Sequence, residues 1–130
     1  MLTTFEVMPE DWFGIGRGVT LQCFDGGWPV LIFVTHEAIE DRFGRRRLTR
    51  PDSYLLVAAD REAIEWLANE KYRARDVERH VMPSGQPLPL VVVTARDIPR
   101  LAPRAMPSMA PEVAAAAAGV FLRPEAASRS

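Results

Sequence analysis

What the chain has little of narrows its chemistry first. It carries one cysteine, Cys23, so no internal disulfide framework can form, and a lone thiol fits a reducing compartment. Its two histidines, His36 and His80, stand far apart and supply no H-x-x-x-H spacing, while one cysteine supplies no C-x-x-C. Nothing in the sequence implies a metal or a cofactor. Lysine is nearly missing: Lys71 stands alone, so arginine is the default cation. No apolar run approaches the ~20 residues needed to span a bilayer, so no membrane partner is expected. The opening residues lack a basic stretch followed by an apolar one, and no secretory signal is expected. Ser53, Ser84, Ser108, Ser128 and Ser130 sit in no G-x-S-x-G elbow. Gly14, Gly16 and Gly18 precede a strand, whereas a dinucleotide loop must follow one and open a helix.

What is present is ordinary for a globular chain. Its 130 residues are 48% hydrophobic and 25% charged, enough for one domain with a real core. Sixteen basic residues against seventeen acidic ones give a net charge of -1, with no global pull toward nucleic acid or anionic lipid. A soluble, cytoplasmic, single-domain protein is the expectation.

Hydrophobic patterning divides the chain into a body, 1–98, and a proline- and alanine-rich tail, 99–130. Residues 1–17 form a weakly patterned lead-in, with Phe5, Trp12, Phe13 and Ile15 as apolar anchors laid on the body. The first clear strand is 19–24, with Val19, Leu21 and Cys23 on one face. Asp25-Gly26-Gly27 then turns the chain into a second strand through 28–34, whose Pro29 belongs at a strand start or an edge. Thr35 is placed to cap a short helix over 36–43, which Gly44 stops; 45–51 is a loop.

From Asp52 the period becomes 3.6, with Leu56, Ala59, Ala63, Leu67 and Glu70 along one stripe. Two stacked helices, about 52–59 and 60–74, or one helix broken near Asp60, both satisfy it. Residues 78–82 form a short strand or extended link, and 88–94 a well-buried strand. That order predicts an α+β fold: a mostly antiparallel sheet with two or three helices on one face. In the tail, Pro99, Pro103, Pro107 and Pro111 recur every fourth residue and defeat a continuous helix. The tail is read as disordered, or as holding a short helix at about 111–122 that starts at Pro111.

Two helix segments and one strand end carry a family likeness. Glu37-Ala38-Ile39-Glu40-Asp41 with Phe43 follows the first; Arg61, Ile64-Glu65, Ala68 and Lys71-Tyr72 follow the second; Thr94 and Asp97 close the last strand. Together, over about residues 18–98, these resemble the domain of unknown function 1488, a family of small proteobacterial proteins. The resemblance implies a small α+β domain and brings with it no catalytic residue. The arginine cluster and the tail depart from the family pattern.

Candidate chemistry is sparse. Cys23 lies mid-strand beside Val19 and Leu21 and reads as a small core hydrophobe rather than a nucleophile. Glu37, Glu40 and Asp41, and Glu62, Glu65 and Glu70, read as solvated helix surface. The feature pointing furthest is Arg42, Arg45, Arg46, Arg47 and Arg50, whose guanidiniums suit phosphate contact, although no helix-turn-helix or stacking platform accompanies them. With no catalytic constellation evident, the chain is expected to be a non-enzymatic accessory or protein-interaction module. It would bind a protein partner or self-associate through a sheet edge or the long helix. The alternative is a weak nucleic-acid or anion binder using the arginines at 42–50.

Overall fold

The computed structural model describes residues 1–11 and 13–101; the tail beyond 101, with the helix expected at about 111–122, lies outside them. Five strands form one mixed sheet in the order β1-β2-β3-β5-β4. They are β1 (Leu2–Val7), β2 (Gly18–Asp25), β3 (Trp28–Thr35), β4 (Glu78–Val81) and β5 (Pro87–Val93). Three helices, α1 (His36–Phe43), α2 (Arg50–Ala59) and α3 (Arg61–Arg73), connect β3 to β4. A 3-10 helix, Ala95–Arg100, follows β5 and packs on α1. Every strand pair is antiparallel except the central β3–β5 pair, so the α+β expectation stands.

β2 and β3 form the expected hairpin around Gly26, whose φ of +65° needs a residue without Cβ strain. β1 was not expected as a strand. A bulge between Thr3 and Glu6, with Thr4 at φ +59°, spoils the period-two alternation that would have revealed it. Val19, Leu21, Cys23, Val30, Ile32, Val34, Val91 and Val93 form the sheet's helix-facing layer, all buried. The opposite face buries Leu31, Phe33, Leu88 and Leu90 beneath Phe13 and Ile15 of the lead-in, and Phe5 packs on the helix-facing core; Trp12, the fourth expected anchor, lies outside the described residues. Gly18 makes this closure possible: a Cβ there would meet the Val34 carbonyl oxygen at 2.2 Å.

Thr35 caps α1, its Oγ1 accepting from the Ala38 N–H at 3.1 Å, and Gly44 ends the helix in the left-handed region. α2 begins at Arg50 rather than 52, because Thr49 and Asp52 form a capping box and Pro51 is tolerated in a first helical turn. The single stripe expected through 56–70 does not persist. The break at Asp60 resets the helical phase, so Ser53, Leu56 and Val57 are buried on α2, and Ile64, Leu67, Ala68 and Lys71 on α3. Pro99 and Arg100 belong to the 3-10 helix and Leu101 is buried, so order continues past the expected boundary at 98.

Candidate functional site

The arginines at 42–50 sit around the α1–α2 connection but do not make one basic surface. Arg42 is nearly enclosed and grips Asp60 through Nε and Nη2, at 2.6 and 3.2 Å. That grip occupies the Asp60 carboxylate, which makes no cap on α3. Arg46 reaches into solvent, with Glu40 at 3.7 Å and Asp41 at 3.9 Å. Arg45 and Arg47 are exposed, and the Arg47 backbone N–H donates to Glu40 Oε2 at 3.0 Å. Arg50 opens α2 and borders a groove of about 680 Å³ that it shares with Glu10, Asp11 and Tyr54. Carboxylates therefore interleave the cluster. Burial pushes the Glu40 carboxyl upward, but the Arg47 N–H, His36 and Arg46 outweigh it and hold Glu40 below the ordinary carboxylate range.

The titratable residues singled out from the sequence are structural in their contacts. Burial pushes the Cys23 thiol up to about 12, and its Sγ faces the Val30 carbonyl oxygen at 3.5 Å. His36 is buried, because α1 starts at the sheet end, where Arg17 packs back. Its Nε2 lies 2.9 Å from Glu40 Oε2 and 3.2 Å from Arg17 Nη2. His80 Nε2 contacts the Phe13 carbonyl oxygen at 2.8 Å. Among the described residues no group of three or more His, Cys, Asp or Glu could hold a metal ion, and no helix is long and apolar enough to cross a membrane.

Lys71, Tyr72, Thr94 and Asp97 are joints of the fold. Lys71, buried on α3, donates to Asp97 Oδ2 at 2.8 Å and lies 3.1 Å from Asp76. Asp97 Oδ2 also accepts from the Thr94 N–H and hydroxyl, at 2.9 and 3.2 Å. The Tyr72 hydroxyl donates to Asp25 Oδ2 at 2.7 Å, which ties α3 to the β2–β3 turn. That bond lowers the Asp25 carboxyl and raises the Tyr72 phenol to about 12.

The surface that sequence reasoning missed lies at one corner of the helix-facing layer. Continuing the β3–β5 register from Leu31↔Leu90 brings Trp28 level with Pro87, and Val81 pairs with Pro87 from the other side. Trp28 is 55% exposed and Val81 60%, although both lie on the sheet face that the helices cover elsewhere. Beside Trp28 opens a groove of about 530 Å³, lined also by Val77, Glu78, Arg79, Pro87, Leu88 and Pro89.

Compared with protein-family models, curated proteins and solved structures, this chain matches none. The corner's chemistry therefore rests on its own residues. Pro87 and Pro89, two apart on a strand, announce one apolar face. That the face is uncovered depends on where α3 ends, and periodicity does not encode that.

Proposed function

We propose that the protein is a non-enzymatic protein-interaction module and that the Trp28 corner is its contact surface. Trp28 carries this reading. A tryptophan at the start of a strand, more than half exposed, forms a wall of an open groove with two prolines, and a second exposed apolar residue, Val81, pairs with one of them. Contiguous apolar surface of this kind is the ordinary signature of a binding site, whereas single exposed apolar residues are not. Trp66 supplies the contrast, since it is 50% exposed on α3 but has Glu62 and Glu70 four residues to either side. Kinship with the domain of unknown function 1488 family is part of the proposal. It is supported by the motif residues at Lys71, Tyr72, Thr94 and Asp97. A bacterial cytoplasmic setting is supported by that likeness and by the lone buried thiol.

Affinity capture from the native host's extract tests the module. The same protein should be recovered with wild type and with Trp66→Ser and be lost with Trp28→Ser. Capture indifferent to Trp28 refutes the corner. A salt-dependent shift of DNA or RNA, abolished when Arg45, Arg46 and Arg47 become alanine, would favour the anion-binding reading instead.

A further inference from the structure

The groove of about 680 Å³ beside Arg50 lies at the end of the sheet from which the tail departs. Val7 pairs with Leu21, Leu21 with Ile32 and Ile32 with Val91, so carrying that register onward brings Pro9, in the groove wall, level with Val93. Three strand spacings, about 14 Å in all, separate the two. The 3-10 helix follows Val93, packs on α1 and gives way to Leu101, which is buried in the same core as Leu48, just before Arg50. Fully extended, residues 102–111 span about 33 Å, so they reach the groove from Leu101. The Trp28 corner is at the opposite ends of β3 and β5, about 20 Å away along the strands.

The segment also matches the groove in charge and shape. Glu10 and Asp11 outnumber Arg50 in the lining, whereas 102–111 holds Arg104 and no acidic residue. Glu10 is exposed, and Asp11 gives only Oδ1 to the Ile15 N–H, at 3.0 Å. The other walls are apolar: Pro9, Pro51, Tyr54 and Leu55. Proline-bearing segments suit an aromatic-walled groove, because each ring fixes φ beforehand and lowers the entropy lost on docking.

We propose that this groove is the docking site of the chain's own residues 102–111, bound within the same molecule. Arg104 meets Glu10 and Asp11, and the prolines at 103 and 107 lie across Tyr54 and Leu55. The tether at Leu101 holds the segment at an effective concentration of millimolar order, so a contact too weak between separate molecules is made within one. The site is separate from the Trp28 corner, and either assignment can fail without the other.

Paramagnetic relaxation enhancement on the full chain tests it, with a nitroxide attached through Ser108→Cys. Cys23 is buried and does not compete for the label. The label should broaden the amides of Glu10, Asp11, Tyr54 and Leu55 more than those of Arg79 and Val81 at the Trp28 corner. Arg104→Glu and Leu55→Ser should each cut the groove broadening about twofold or more, as the docked fraction falls. Adding Glu10→Arg to Arg104→Glu swaps the charges and should restore it. The amide spectrum itself reports that each variant is folded. Nitroxide-bearing chain mixed with label-free 15N chain should leave the latter unbroadened, and Trp28→Ser should keep the wild-type pattern. Groove amides broadened no more than those of the corner, indifference to Arg104 and Leu55, a charge swap that fails to rescue, or broadening carried between mixed chains overturns the proposal.

Discussion

Replacing Asp97 with asparagine should destabilise the fold out of proportion to a change of one atom. The carboxylate Oδ2 takes the Lys71 ammonium at 2.8 Å and two groups of Thr94 at 2.9 and 3.2 Å, and only 11% of its side chain is exposed. Lys71 is 7% exposed, so the substitution strands a buried cation. Breaking one partner of a buried pair typically costs about 3–5 kcal/mol. Two features reduce that here: Asp76 remains 3.1 Å from Lys71, and an amide oxygen can still accept from the Thr94 N–H. A loss of about 2–3 kcal/mol follows, equivalent to a drop in Tm of roughly 10–20 °C for a domain of this size.

Burial pushes the Asp97 carboxyl upward, but its bonds to Lys71 and Thr94 prevail and hold it below the ordinary carboxylate range. The unfolded chain therefore binds this proton more tightly than the native one. The stabilisation is complete above the ordinary carboxylate value and is lost as pH falls below it. Urea unfolding of wild type and Asp97→Asn at pH 7 and through the acid range reads both effects, and the variant should show a flatter acid limb. Lys71→Met combined with Asp97→Asn should cost less than the sum of the two single changes, because no buried charge is left alone. Additive costs, or a variant within about 0.5 kcal/mol of wild type, would refute the reasoning.

Gly18→Ala should cost about 2 kcal/mol or more in urea unfolding, since its Cβ would lie 2.2 Å from the Val34 carbonyl oxygen. Arg42→Lys should cost about 1 kcal/mol, because an ammonium cannot reproduce the two-pronged contact with Asp60; thermal melting reads it. Native Cys23 should resist a thiol-exchange reagent at pH 8 and react once urea unfolds the chain, as expected of a buried thiol raised to about 12. Tyr72→Phe should cost about 1 kcal/mol, the net value of a single hydrogen bond, and remove the phenol whose ultraviolet titration is displaced to about 12.

Much of the architecture is legible because its signals are local. Alternation of Val19, Leu21 and Cys23, the Gly26-Gly27 turn, Thr35 before α1 and Gly44 after it each act within a few residues. β1 was hidden because a bulge shifts its alternation midway. The α2–α3 stripe misled because the helix break at Asp60 rotates the phase, and Asp60 is held by Arg42 from another element rather than capping α3.

The candidate sites divide along the same line. An arginine cluster is visible as composition, but its character depends on its near neighbours Glu40 and Asp41, which pair with Arg46, and on Asp60, which folding brings onto Arg42. Trp28 gave no sign of a special role, because its neighbours Pro87, Pro89 and Val81 lie more than fifty positions away. The sequence by itself determined which residues are apolar, which segments are helical or extended, and where most of them stop. Periodicity and capping are properties of neighbours along the chain. Only the tertiary structure decided that β3 and β5 run side by side and in parallel, that Lys71 meets Asp97, and that the helices leave one corner of the sheet bare. Those outcomes depend on register and on where each layer ends, and both are set by packing between segments that have no local means of specifying one another.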